Sequence, residues 1–421
     1  MVASTDIKFY VHTNNNAPQL TNNFGCMIDV LDACLVNGFG AQSVSTLKAV
    51  GKVVTVTFGA AHNLMQYQVI KITGANQSEF NGEHRILSVP NANSFTFELA
   101  NTATVTQASG TIVCSLPPLG WEKPFSSTHS SGTGGKAAYR STNLLLASRP
   151  FLRVVDELDP AYTATYAKYA KVGIVEDMID INTMLGVQAP YNSANPDKNW
   201  LGIGSGASVI NGWARWYYAS VAPFTSSAND STAPPAGNRS WVLVGTKDYF
   251  YILPVGIANN TATLFYGFGA FDKLIENDMS NQFLVSTLLN TTAGGGGNYK
   301  GQATGGAGSA STQKTLIQRA YTQNAQYAEA TTFSLAAAAQ VYSGLSNYIG
   351  APSLTNSSPF APVYLNETVL RGVLKGFYWL FQMKPYAHLA LIENNNELFI
   401  ALNCAPATTS EGQVILKIGD L

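Results

Sequence analysis

Residues 52–58 read Lys-Val-Val-Thr-Val-Thr-Phe, and this stretch indicates the fold class of the chain. It is rich in β-branched residues and alternates over most of its length, which is typical of a strand with one buried face. We expect Val54, Val56 and Phe58 to share the buried face, because successive side chains of a strand point to opposite sides. The two threonines between them would then lie on the other face.

Further strand-like runs of five to seven residues follow before residue 115, with Gly, Asn or Pro between them, and they cover 67–73, 84–89, 94–99 and 110–114. Short strands at this spacing predict an all-β sandwich or a small barrel. We therefore assign residues 51–115 to a small all-β module inserted into a larger domain. Residues 1–50 would form the N-terminal part of that main domain.

The remainder of the chain, residues 116–421, continues as a β-rich main domain of the sandwich or barrel type. One short N-terminal helix is predicted at 25–36, where apolar residues recur at helical spacing and Gly38 follows as a stop signal. The predicted fold class is therefore mainly β, with a single short helix.

Three stretches of the main domain depart from the strand pattern. Residues 291–312 contain eight glycines in 22 positions, which predicts a flexible Gly-rich loop. Two others, 159–171 and 313–349, fit either a helix or strands, and the sequence leaves both alternatives open.

Charge is scarce in this chain: Asp, Glu, Lys and Arg make up 12% of its 421 residues, where roughly 25% is usual. Lys plus Arg is 24 and Asp plus Glu is 25, so the net charge is −1. A nucleic-acid partner or a polybasic membrane contact would need a basic footprint, so we expect neither. No apolar run approaches the ~20 residues of a membrane span, so no membrane insertion is expected.

Motifs for catalysis and metal binding lack their required spacing. The glycine-rich run 131–136 has Ser130 and Ala137 where a phosphate-binding loop needs a glycine and a hydroxyl residue. The four cysteines and five histidines show no metal-ligand spacing. Two acidic clusters, 156–159 and 176–180, could hydrolyse a glycosidic bond, bind Ca²⁺ or lie in solvated loops. We expect no enzyme activity, no cofactor and no metal.

Aromatic residues crowd two of the predicted strands: Trp213, Trp216, Tyr217 and Tyr218 in the first, Phe377 and Trp379 in the second. Aromatic strands of this kind stack on sugars, fill a subunit interface or pack the core of a sheet. Only one face of a strand meets the core unless both faces are covered. The six residues are therefore candidate interface or glycan-contact aromatics, with core packing as the alternative.

Several segments, in this order along the chain, carry a family resemblance: IDVLDACLVNGFG at 28–40, GWEKPF at 120–125, AYRS at 138–141, FLRV at 151–154, SWVLVG at 240–245, YFY at 249–251, LRGVLKG at 370–376, PYAH at 385–388 and FIALN at 399–403. Together they resemble virion structural proteins of tailed bacteriophages and prophages. The module, through its NGEHRILSV and SFTFEL phrases, is similar to small β insertions of phage tail and fibre proteins.

The resemblance implies a structural component of a tailed bacteriophage virion, at the tail tip or baseplate, that acts through protein–protein assembly. Its partners would be other copies of itself, in a homo-oligomer, and neighbouring virion proteins. Two alternatives stay open: a capsid decoration or head-fibre protein, and a receptor- or carbohydrate-binding module whose partner is a host surface glycan. The expected location is the virion, after synthesis in the host cytoplasm without a secretory signal.

Overall fold

Strands make up about half of the described chain, and helical residues are few, as the alternating runs predicted. The computed structural model describes residues 3–202, 204, 212–221, 232–257, 263–288, 315–334, 360–380, 386–404 and 412–421. Within these ranges there are 27 strands and one α-helix. The mainly β fold class with one short N-terminal helix is therefore confirmed.

The elements of the first 120 residues are β1 (Lys8–Val11), α1 (Cys26–Leu31), β2 (Phe39–Val50), β3 (Val53–Phe58), β4 (Val69–Ala75), β5 (Gly82–Arg85), β6 (Ser88–Asn91), β7 (Ser94–Glu98) and β8 (Gly110–Leu116). Next come β9 (Trp121–Thr128), β10 (Gly135–Ser141), β11 (Phe151–Asp156), β12 (Lys168–Met178), β13 (Met184–Ala189), β14 (Ala214–Ala219), β15 (Trp241–Gly245), β16 (Tyr249–Pro254), β17 (Tyr266–Ala270), β18 (Asp272–Lys273), β19 (Gln282–Val285) and β20 (Thr287–Leu288). The last are β21 (Thr315–Ile317), β22 (Ala328–Ser334), β23 (Phe360–Asn366), β24 (Leu370–Leu380), β25 (Leu391–Asn394), β26 (Glu397–Cys404) and β27 (Gly412–Asp420).

The inserted module is a seven-stranded antiparallel sheet in the order β5-β4-β8-β2-β3-β7-β6. The alternation predicted for β3 is confirmed, because Val54, Val56 and Phe58 are all buried. The sheet extends beyond the predicted module, since β2 pairs with β8 through its first residues and with β3 through its last. Phe39 lies opposite Leu116, so the chain enters and leaves the module at neighbouring positions.

The main domain contains two further sheets. The larger has 13 strands in the order β1-β15-β16-β17-β19-β21-β22-β23-β24-β27-β26-β25, with β18 beside β24. The smaller has seven strands in the order β20-β14-β12-β11-β10-β9, with β13 beside β12. Every residue of β15, β16 and β17 is buried, so both faces of these central strands are covered.

The predicted helix is present, but its second half is wider than an α-helix. After α1 the chain continues as a π-helical turn, Asp32–Asn37, in which the Gly38 N–H donates to the Ala33 carbonyl over 2.9 Å. Gly38 has a φ of 71°, which glycine adopts without a steric penalty, so it ends the helix as predicted.

Two stretches, 159–171 and 313–349, fit either a helix or strands by sequence. Their described residues form strands and turns and contain no helix. Turns precede β12, which begins at Lys168, so 159–171 contains no helix. Of 313–349, the structure describes 315–334, which contain β21 and β22. Residues 313–314 and 335–349 lie outside the described residues. The predicted Gly-rich loop, 291–312, also lies outside them.

Arg85 fastens the module to the main domain. Its guanidinium is buried and donates hydrogen bonds of 2.6–3.0 Å to the main-chain carbonyls of Ser4, Ile7, Tyr67 and Ile418. Since two of these carbonyls belong to the N-terminal segment and one to β27, a single side chain joins three parts of the molecule. Buried carbonyl groups need hydrogen-bond donors, so these four bonds hold the module against the main domain, and we call this contact the joint.

Candidate functional site

The aromatic cluster on β14 is part of the core. The side chains of Trp213, Trp216, Tyr217 and Tyr218 have exposed fractions of 1%, 0%, 0% and 0%. A sugar or a partner subunit cannot reach them, so the contact role predicted for these four residues is wrong. The core alternative is the one that the structure supports.

Both faces of β14 are covered, which is why the alternation argument failed. On one face Trp216 stacks on Tyr266 of β17 with ring centroids 5.8 Å apart, and its indole N–H donates to the Val285 carbonyl over 2.9 Å. On the other face Tyr217 packs on Tyr169, which in turn meets Tyr162 in the turn segment before β12. That turn segment, not a third sheet, buries the second face.

The second aromatic strand, β24, contains Phe377 and Trp379, and of these two side chains the structure describes that of Phe377. Phe377 is 2% exposed and lies 4.4 Å, centroid to centroid, from Phe265, so its predicted contact role is also wrong. The backbone of Trp379 lies opposite Val414 of β27, whereas its side chain lies outside the described residues.

Asp156 belongs to the first acidic cluster and lies buried beneath α1. Its carboxylate accepts hydrogen bonds from the Met27 N–H over 3.0 Å and from the Tyr218 hydroxyl over 2.6 Å. Burial raises the pKa of Asp156 from 3.8 to about 6, although the hydrogen bonds from Tyr218 and from the helix start oppose this shift. The side chain thus caps a helix from a distant strand, which is a structural role.

The other carboxylates of the two clusters also have structural partners. Asp159 forms a buried ion pair with Lys171 at 2.9 Å, and Glu176 pairs with Arg319 at 2.6 Å. Asp180 accepts from Thr183 within its own turn. Among the residues that the structure describes, no group of three or more His, Cys, Asp or Glu side chains could hold a metal ion.

A different feature stands out on the surface. Six large apolar side chains with exposed fractions between 40% and 93% lie on loops between strands or, for Leu370, at the first residue of β24, and we call them the loop surface: Leu144, Leu145, Leu274, Met279, Tyr321 and Leu370. Leu145 is 93% exposed and Leu144 is 78% exposed, which is unusual for neighbouring leucines. Exposed apolar side chains that gather in one patch are typical of interaction sites.

Hydrogen bonds between the loops hold this surface together. Asn143 donates to the Asp248 carboxylate over 2.8 Å, and Ser148 donates to the Gln318 side chain over 2.6 Å. The main-chain N–H of Leu274 donates to the Arg371 carbonyl over 2.9 Å. The apolar residues are therefore presented by loops that are linked to their neighbours.

A buried charge network lies directly beneath. The Arg371 side chain is 0% exposed; its Nε donates to the Asp278 carboxylate over 2.8 Å, and its Nη2 lies 2.7 Å from the same carboxylate oxygen as an ion pair. It also pairs with Glu367, whose carboxylate accepts the Tyr321 N–H. Because Leu370 and Met279 are the chain neighbours of Arg371 and Asp278, the network fixes the backbone on which they sit.

The loop surface was not predicted from the sequence. Its members are spread along the chain from residue 144 to residue 370, so no single stretch of sequence contains them. The one local signal is the run Asn-Leu-Leu-Leu-Ala at 143–147, where three leucines follow a polar residue without a strand or helix period.

No family model matches the chain, and no match was found among curated proteins. In the described part of the chain, no helix has the length and apolar character needed to cross a membrane.

Proposed function

We propose that this protein is a structural component of a tailed bacteriophage virion, located at the tail tip or baseplate, and that it works by assembling with copies of itself and with neighbouring virion proteins. The observation that supports this proposal is the loop surface, with its six exposed apolar side chains on linked loops. The sequence resemblance supplies the virion context.

Assembly through this surface is energetically reasonable. Burial of apolar surface stabilises a complex by about 25 cal/mol per Å² before the costs of association are counted. Those costs fall when the contacting groups are already held in place, as the hydrogen bonds between the loops and the Arg371 network hold them here. A chain with 12% charged residues also has few charged groups to desolvate on docking.

A pair of charge substitutions tests the assembly step. Leu144→Asp with Leu145→Asp places two carboxylates in the loop surface, whereas the matched control Val50→Asp adds one at a hairpin tip of the module that is 84% exposed. Sedimentation of the purified full chain over a concentration series should show oligomers for the wild type and the control, and a monomer for the double variant. A wild type that stays monomeric at every concentration, or a double variant that assembles normally, contradicts the proposal.

The place in the particle needs a separate experiment. Mass spectrometry of purified phage particles should detect the chain, and a gold label on a tag at the β2–β3 turn should lie at the tail tip. A label on the capsid would support the decoration or head-fibre alternative instead. Absence of the chain from purified particles would refute a virion role altogether.

A further inference from the structure

We propose that the cleft between α1 and the β9–β10 hairpin binds a short neutral glycan, of about two sugar units. The cleft has a volume of about 410 Å³, within the ~300–1,000 Å³ of small-molecule sites. The residues that line this cleft do not include the buried aromatic side chains of 213–218. Glycan binding in the cleft would not require the assembly role proposed above.

Close glycine contacts shape one side of this cleft. A Cβ atom on Gly25 would lie only 2.9 Å from the Cα of Gly134, so the turn before α1 and the hairpin touch backbone to backbone. The hairpin stays thin because Gly132, Gly134 and Gly135 have no side chains, and the space beside it remains open. This explains the glycine run at 131–136 without a phosphate.

The hairpin side of the cleft presents hydroxyl groups. Ser126, Thr128 and Thr133 line it and are exposed. In the described structure their hydroxyls make no hydrogen bond to other residues, so they are available to a ligand. A hydroxyl both donates and accepts, which suits the hydroxyl groups of a sugar, since these also do both.

The helix side supplies one unpaired acceptor. Asp32 is occupied, because its carboxylate pairs with Lys123 at 2.5 Å and accepts from the Tyr139 hydroxyl over 2.7 Å. Asp29 lines the same cleft and has neither a hydrogen bond nor an ion pair through its carboxylate within the described ranges. Burial, followed by the nearby Asp32, raises the pKa of Asp29. Its two oxygens can accept from adjacent hydroxyls of one sugar ring.

The charges of the cleft select against an anionic ligand. Of the charged side chains on its walls, Lys123 is paired with Asp32, and Lys136 donates to Asn182 and lies 3.8 Å from Glu157. The Met27 N–H at the start of α1 is already taken by Asp156. What remains unpaired is the carboxylate of Asp29, so a neutral glycan fits and a sialylated or phosphorylated one does not.

An apolar patch completes the site. Phe24 and Ile28 line the cleft and are half-buried. A cation–π contact, with Lys168 Nζ 5.1 Å from the ring centroid, holds the Phe24 ring in place. Sugar rings carry C–H faces that pack on apolar and aromatic side chains while their hydroxyl rims are hydrogen-bonded, and this cleft offers both kinds of wall.

The test is a glycan array with the purified full chain, followed by calorimetric titration with the neutral disaccharides cellobiose, lactose and N,N′-diacetylchitobiose, and with sialyllactose as the anionic comparison. We expect binding to at least one neutral glycan and none to sialyllactose. Asp29→Ala should weaken binding at least tenfold, while the matched control Asp177→Ala, which removes an exposed carboxylate outside the cleft, should leave it unchanged.

Three results would overturn the proposal: no neutral glycan bound, binding confined to anionic glycans, or binding that Asp29→Ala does not affect. The double variant of Leu144 and Leu145 separates this proposal from the assembly role. It should bind glycan as the wild type does even when it no longer assembles, because neither leucine lines the cleft.

Discussion

Replacement of Asp156 by Asn should change how the stability of the fold depends on pH. Asp156 is fully buried, and burial raises its pKa from 3.8 to about 6 in the folded chain. A difference of one in pKa between the folded and unfolded states is worth about 1.4 kcal/mol, so the ionised carboxylate costs the fold about 3 kcal/mol at pH 7. Asn has nearly the same shape and does not titrate in this range.

The direction in which the free energy of unfolding changes with pH follows from the raised pKa of Asp156. The folded state holds the proton more tightly than the unfolded state, so the contribution of Asp156 to stability is fully present below pH 3.8 and is lost as the pH rises through about 6. The free energy of unfolding of the wild type, minus that of Asp156→Asn, should therefore fall by about 2.4 kcal/mol between pH 4 and pH 7. Taking the difference removes the contributions of the other carboxylates.

Urea unfolding followed by tryptophan fluorescence, at constant ionic strength and at unit steps of pH, measures this difference. A Tyr218→Phe variant adds a check, because the Tyr218 hydrogen bond lowers the pKa of Asp156 and its loss should move the midpoint to higher pH. A difference that is independent of pH refutes the reasoning. A difference that rises with pH would mean that the hydrogen bonds from the helix and Tyr218 outweigh burial.

The remaining predictions concern the core and the joint. Arg371→Ala should destabilise the fold by about 3–5 kcal/mol in urea unfolding, since it leaves two carboxylates without their buried partner. Trp216→Ala should cost about 3–5 kcal/mol and leave glycan binding unchanged, because the side chain is buried away from the cleft. Gly419→Ala places a Cβ against the Arg85 guanidinium and should cost about 1–3 kcal/mol, with faster proteolysis at the joint. The control Gly59→Ala, whose Cβ would have its nearest neighbour at an ordinary 3.7 Å, should be nearly neutral; equal effects from the two glycine variants would disprove the steric argument.

Local patterns predicted the strands of the module well, because each depends on the side-chain alternation of a single segment. The β3 strand is the clearest case, with Val54, Val56 and Phe58 buried as expected. The sequence did not predict β2, Phe39–Val50, because the first residues of this strand lack a β-branched run. Pairing with β8, about 75 residues away, makes that segment a strand.

The candidate site shows where local patterns fail. Tyr217 packs on Tyr169, which packs on Tyr162, and both partners lie in the segment 159–171, for which the sequence left a helix and strands open. The role of Asp156 depends on the Met27 N–H, 129 residues earlier. Contacts of this range follow from topology, and no window of sequence contains both partners. For this reason the sequence did not show that the five described aromatic side chains are buried, and the loop surface and the cleft were missed; the role predicted for Trp379 stays a prediction.

The pairing of Phe39 with Leu116 has a consequence for whether the inserted module can be removed or exchanged. The chain leaves the main domain and returns to it at adjacent residues, with the Leu119 N–H bonded to the Cys34 carbonyl over 2.9 Å and the Gly120 N–H to the Leu35 carbonyl over 3.0 Å. A short turn could bridge that gap, so the inserted unit can be removed, or exchanged for one of another length, without moving β9 relative to α1. The groups that the module now serves would then need new partners: the carbonyls bonded to Arg85, the Phe9 carbonyl and Asn14 side chain bonded to Gln68, and Lys8, which pairs with Glu83.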